Sequence, residues 1–417
     1  MSTSIAPDLR IDGARLLDRL IELGEIGAIP DTTGSSRLAF TDADKTGRDL
    51  VMTWMADLGL TTTIDGIGNV VGVWVPEGVD PALPPVMTGS HIDTVRTGGR
   101  YDGNLGVLAG LEIIETVAAA GVIPSRPLAV TFFSNEEGAR FPPDMMGSLV
   151  YVGGLGLEEA YAIEGIDGTT VGAELDRIGY RGPAPCPGLV PHAFVELHIE
   201  QGPVLEEQDI TIGVVQSVQG ISWTEVTIDG QSNHAGTTPM RLRRDPGYVA
   251  AELTVFVRRL AAELGNPQVG TVGAIDLHPN LVNVVAASAK LTVDLRNTDN
   301  TTLLTAEKRL AARLDELAAA EGVAVSTRSL ARFDPVQFDR TVVDLVATTA
   351  ESLGLSTLRM PSGAGHDAQM MARVCPTAII FTKSKDGISH NPAEHTDPED
   401  LTAGANVLLQ VMLSLAG

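Results

Sequence analysis

Four short apolar runs in this chain each carry, or lead directly to, a residue able to ligate a divalent cation. Residues 85–89 lead to His91, 127–133 to Glu136 and Glu137, 194–199 hold His198 near their end, and 377–382 precede His390. Runs of this length, separated by stretches with helical spacing, predict the strands of an α/β sheet. Ligands of such sheets gather in the crevice at the carboxyl ends of the strands. One pattern therefore predicts both a fold class and where its site lies.

The remaining segments fill in that plan. Helical spacing covers 10–28, about 42–58 and 104–120, and short strands are expected at 61–64 and 69–74. A different texture occupies 213–332, where strand, helix, strand, strand, helix and strand follow in turn. That order suggests a small ferredoxin-like α+β unit. It separates His390 from the other ligand-type residues. The expected division is thus a catalytic domain made of 1–212 and 333–417, with 213–332 inserted.

Composition excludes several functions. The formal net charge is −24 with no basic cluster, which argues against nucleic acid or anionic membranes as partners. Two cysteines, Cys186 and Cys375, predict no disulfide framework and suit a reducing cytoplasm. The N-terminus lacks the basic and apolar regions of a secretory signal, and no apolar run of about 18 residues is present to span a membrane.

With thiolates absent from these frames, imidazole and carboxylate are the available ligands. His91 and Asp102 are joined by a glycine-containing loop that can bring them together. Asp102 can bridge two ions, because its two oxygens can serve one each. His91 and His198 would complete one ion's ligands, Glu137 and His390 the other's. Paired ions of hydrolytic sites stand roughly 3.5–4 Å apart and activate a shared water. Glu136 suits the general base that takes that water's proton and passes it to a leaving nitrogen. Asp93 is placed to bond the second nitrogen of His91. Singly, each acid reads as a solvated surface residue; the joint pattern at strand ends reads as a metal site. On the substrate side, the planar fork of Arg296 suits a carboxylate, and Asn283 can donate to the same group. His234 can stabilise an oxyanion. Gln201 can read an amide or ureido group. His366 reads either as a helix-start histidine or as a site residue.

The segments GSHIDTVRTGGRYDGNLG, NEEGARF, ELHIEQGPVLE, GQSNHAGTTPM, SGAGHDA and SHNPAEHT together resemble the N-carbamoyl-L-amino acid hydrolase and allantoate amidohydrolase group. That group sits among the dinuclear metallo-aminoacylases and carboxypeptidases. The resemblance runs from about residue 10 to 415. It implies a metal-dependent exopeptidase-like catalytic α/β domain and an inserted ferredoxin-like dimerisation (lid) domain. It implies two divalent ions per subunit (Zn, Mn, Co or Ni), held by His91, Asp102 and His198 and by Asp102, Glu137 and His390, with Glu136 as base. Gln201, His234, Asn283 and Arg296 would bind substrate, helped by the backbone at Gly363 and Ala364. His234 would reach the partner's site in a homodimer. A histidine at 198, where peptidase relatives tend to carry a carboxylate, is similar to the carbamoyl-cleaving group. The expected activity is hydrolysis of N-carbamoyl-L-amino acids to amino acid, ammonia and carbon dioxide. Allantoate amidohydrolase, β-ureidopropionase and a non-catalytic binding homologue are the alternatives.

Overall fold

The structure, a computed structural model, describes residues 5–417. It divides into two compact units, Met1–Gln216 with Phe338–Gly417, and Ser217–Gln337. The strands in chain order are β1 (Thr61–Ile64), β2 (Val70–Trp74), β3 (Val86–His91), β4 (Leu128–Phe133), β5 (Ala193–Ile199), β6 (Ile212–Val218), β7 (Gly220–Asp229), β8 (Asn233–His234), β9 (Val269–His278), β10 (Val284–Val285), β11 (Ser288–Asn297), β12 (Ala324–Phe333), β13 (Val336–Gln337), β14 (Thr357–Ser362) and β15 (Thr377–Thr382).

The first unit is built on a sheet of order β1-β2-β4-β3-β5-β15-β6, with β14 also paired to β6. Its centre is parallel, β4 and β5 flanking β3 and β15 following β5. The pairs β1–β2, β2–β4 and β15–β6 are antiparallel. All residues of β3, β4, β5 and β15 are buried. That explains why they read as continuous apolar runs rather than alternating ones, as parallel strands covered on both faces do. Helices Asn104–Ala119 and Pro398–Leu415 pack against this centre, and the first is buried along most of its length. Helix Gly13–Gly24 packs outside both, its start capped by the Asp12 side chain accepting from Ala14 and Arg15 N–H. From β3 the chain goes to β4 on one side and later to β5 on the other. The order reverses at β3, and the crevice at its carboxyl end is where such sheets bind ligands.

The second unit is an antiparallel sheet of order β12-β7-β11-β9. Helices Pro246–Leu264 and Asn300–Glu321 cover one face. Leu291, Val293 and Leu295 of β11 enter a core with Leu253, Val257, Leu260, Leu310 and Leu314. The period-2 pattern of β11 follows from that single covered face, and Thr292, Asp294 and Arg296 take the other. Both helices start on an aspartate cap, Asp245 and Asp299. The strand and helix order is the ferredoxin-like one expected from the sequence.

Candidate metal centre

Asp102 organises the site. It follows the loop that leaves β3 and stands just before helix Asn104–Ala119. Its Oδ1 lies 3.4 Å from His91 Nε2 and 3.2 Å from His198 Nε2, while Oδ2 lies 3.6 Å from His390 Nε2. Glu137 Oε2 is 3.2 Å from the same His390 nitrogen. Two three-residue sets result, His91/Asp102/His198 and Asp102/Glu137/His390, each with candidate ligand atoms within 4.8 Å of one another. One carboxylate turns an oxygen to each set.

The imidazoles are held in one tautomer. His91 Nδ1–H donates to the Asp93 carbonyl at 2.9 Å, and His198 Nδ1–H to the Ile199 carbonyl at 2.8 Å. Both lone pairs therefore fall on Nε2, the nitrogen facing Asp102; the Gly103 N–H, 3.1 Å from His198 Nε2, marks one of them. Fixing a ligand histidine through its other nitrogen is the usual device of metal sites. Here the structure corrects one expectation. Asp93 acts on His91 through its backbone oxygen, not its carboxylate. The carboxylate instead accepts the Glu136 and Glu137 N–H groups at 3.2 and 3.3 Å, holding the turn after β4.

The charges reinforce one another. Burial would raise the Asp102 carboxyl, but His198 and His91 beside it hold it well below the carboxylate range. The hydrogen bond to Glu137 pushes His390 up to about 9. Burial lifts Glu136 well above its usual value, with Asp367, Glu137 and Asp102 adding and His91 opposing. A cation entering would displace protons from these imidazoles and stabilise the carboxylates. The donor set is hard oxygen and imidazole nitrogen, which suits Zn, Mn, Co or Ni. Backbone strain gathers here too: Asn135, Gln201 and His390, none a glycine, all have left-handed φ between 53° and 58°.

Glu136 is buried, with Oε2 3.4 Å from His91 Nε2, and belongs to neither ligand set. Gln201 Nε2 donates to Asp102 Oδ2 at 2.8 Å, and its Oε1 is buried with no hydrogen-bond partner among the described residues. His366 stands at the N-cap position of helix Asp367–Met371 without a side-chain cap hydrogen bond, and its ring meets that of His198 edge-on at 4.5 Å. At Ala364 the backbone is engaged locally, N–H and carbonyl both bonding the Ser362 hydroxyl; Gly363 lies within that turn.

The other substrate-type residues lie in the second unit. β8 pairs with β10, which sets His234 opposite Val284 and beside Asn283, whose carbonyl accepts the Ala235 N–H. Both side chains are exposed. Arg296 is half-buried, and its fork is occupied: Nε and Nη2 bond the Asp294 carboxylate at 3.0 and 2.9 Å, with Trp223 under the guanidinium. Sequence reasoning missed this neighbour, although the alternation of β11 puts Asp294 on the same face.

Gly103 sits at the closest approach. Its φ is +67°, and a Cβ there would stand 2.4 Å from Cε1 and Nε2 of His91. Gly103→Ala is expected to displace that ring and weaken Mn(II) binding by at least about tenfold, read by calorimetric titration of the metal-stripped protein. Unchanged affinity would mean the ring has room to move.

The profile of peptidase family M20/M25/M40 matches residues 87–414. An N-carbamoyl-L-amino-acid amidohydrolase from Rhizobium meliloti is 40% identical over 98% of this chain and 97% of its own. A ureidoglycolate hydrolase from Arabidopsis thaliana is 34% identical over 100% of this chain and 89% of its own. The crystal structure of an amidase of the hydantoinase/carbamoylase family from Burkholderia multivorans superposes with a TM-score of 0.93, at 43% identity and 98% coverage of both chains. The chain belongs to peptidase family M20/M25/M40, a metal-dependent hydrolase family, and within it to the hydantoinase/carbamoylase family.

Proposed function

We propose that this chain hydrolyses the ureido C–N bond of N-carbamoyl-L-amino acids, releasing the amino acid, ammonia and carbon dioxide. The observation that carries the chemistry is Asp102, with one oxygen turned to His91 and His198 and the other to the Glu137 and His390 side. The substrate class follows the likeness to the Rhizobium meliloti enzyme. On this reading His91, Asp102 and His198 hold one divalent ion and Asp102, Glu137 and His390 a second. Such ions, when bound, polarise the substrate carbonyl and lower the pKa of a shared water. Glu136 takes the proton of the attacking water and returns it to the nitrogen that leaves. Gln201 faces the ureido group. Of the second unit, Arg296 receives a substrate α-carboxylate in exchange for Asp294, Asn283 donates to the same group and His234 serves the partner's substrate; of the first, the backbone at Gly363 and Ala364 contributes to binding.

The second unit serves as the homodimer contact and lid. Support comes from its exposed Met240, Leu242, Tyr248, Leu281 and Val282, and from β9, which lies at a sheet edge. The free thiols of Cys186 and Cys375 suit the cytoplasm, and no described helix is long and apolar enough to cross a membrane. The ureidoglycolate hydrolase likeness favours one second reading, the same chemistry on another ureido acid such as allantoate.

The test is ammonia release from N-carbamoyl-L-methionine, allantoate, ureidoglycolate and β-ureidopropionate. The protein is first metal-stripped, then reloaded with Mn, Co, Zn or Ni. Turnover of the carbamoyl amino acid that is lost on chelation and restored by metal is expected. Preference for another ureido acid would move the substrate assignment. Turnover that survives chelation would remove the metal from the mechanism.

A further inference from the structure

Glu394 is nearly fully buried, 2% exposed, in the segment that follows His390. Its Oε1 accepts two consecutive backbone N–H groups, Tyr101 at 3.0 Å and Asp102 at 3.2 Å. Its Oε2 lies 3.3 Å from the Ser389 hydroxyl, which donates to Asp102 Oδ2 at 2.9 Å. The chain wraps this carboxyl tightly: a Cβ on Gly99 would stand 2.1 Å from Oε1. A carboxylate buried beside another acid is costly unless it is bonded. These bonds account for it. They tie the loop that carries Asp102 to the segment that carries His390.

We propose that Glu394 is the positioning residue of the shared carboxylate. It fixes the Asp102 backbone through two N–H groups and stands beside the Ser389 hydroxyl that donates to the Asp102 side chain, and so governs whether the Asp102/Glu137/His390 set can hold its ion. The proposal rests on the paired-ion reading above. Glu394 belongs to none of the candidate ligand groups. What matters is its reach, since both N–H bonds depend on where the carboxyl oxygen stands. Glutamine keeps that reach and loses the charge. Aspartate keeps the charge and is one methylene short.

The experiment titrates Mn(II) into the metal-stripped full-length chain, wild type, Glu394→Gln, Glu394→Asp and Ser389→Ala. Calorimetry gives stoichiometry and affinity, and electron paramagnetic resonance shows whether two Mn(II) ions are spin-coupled. Wild type is expected to take up two coupled ions. Glu394→Gln should keep both, its second affinity within about tenfold. Glu394→Asp should lose about 10- to 100-fold in affinity for the second ion only, with the coupled signal giving way to an isolated one. If Glu394→Asp does not fold, Ser389→Ala carries the test: a weaker second ion supports the proposal and an unchanged one overturns it. Two ions of native affinity in Glu394→Asp overturns it alone. So does a Glu394→Gln variant as weak as Glu394→Asp, since reach alone would then not be what counts. Fewer than two ions in wild type overturns the paired-ion reading and this proposal with it.

Discussion

Asp102→Asn is expected to abolish the binding of both ions at once, and to lower turnover by about a thousandfold or more. The substitution is nearly isosteric, so the loop after β3 keeps its bonds to Glu394 through the Tyr101 and Asp102 N–H groups. What changes is the acceptor character of the side chain. An amide presents one weaker acceptor and an N–H pair. One of the two sets, His91/His198 or Glu137/His390, must then face a donor where it had an oxygen. The negative charge shared by both sets also disappears. Charge stabilisation by bound metal contributes several kcal/mol to such reactions, and every 1.36 kcal/mol is a factor of ten in rate. Glu137→Gln is the informative partner, because Glu137 belongs to one set only. It should lose a single ion. Metal analysis after dialysis against micromolar Mn(II), alongside ammonia release, reads both variants. If Asp102→Asn lost only one ion, Asp102 would belong to a single set, and the picture of one carboxylate with an oxygen for each side would be wrong.

Much of this centre was legible because buried parallel strands leave a strong trace. β3, β4, β5 and β15 are buried at every residue, so apolar residues dominate their sequences, with Thr88, Ser90, Thr131 and Glu196 as buried exceptions inside them, and a histidine or acid at the end of such a run stands out. The insert was legible for the opposite reason. With one covered face, β11 alternates, and its aspartate-capped helices announce their starts. Other features leave no periodic trace. The left-handed backbone at Gln201 and His390 depends on how the loops close. Glu394 meets Asp102 across 292 positions of chain, and nothing local distinguishes it from a solvated glutamate. Asp93 shows a finer limit. A residue two places from His91 was bound to matter, but only the fold decides that its carbonyl takes the imidazole while its carboxylate holds the turn of Glu136 and Glu137. Arg296 was read as a bare fork, whereas Asp294 two residues earlier fills it.

Glu136→Gln should separate the proton from the metal. Glu136 lies outside both ligand sets, so the variant is expected to bind both ions with native affinity and to keep KM close to that of the wild type. Its kcat should fall by about 10²- to 10⁴-fold, the usual worth of a positioned general acid–base. The amide fits the same pocket, where the side chain is 9% exposed and Oε2 faces His91 Nε2 at 3.4 Å. It can still donate or accept a hydrogen bond, but it cannot take a proton from water and carry it to the departing nitrogen. A loss confined to kcat, with ground-state binding retained, marks an interaction made in the transition state. The neighbouring Glu137→Gln variant provides the contrast within one sequence motif. Adjacent glutamates with the same backbone anchor, the Asp93 carboxylate, should fail in different ways, one losing the proton shuttle and the other an ion. Near-normal turnover in fully metallated Glu136→Gln would eliminate Glu136 as the base. Loss of an ion in that variant would instead make Glu136 a ligand, and the base would have to be sought elsewhere.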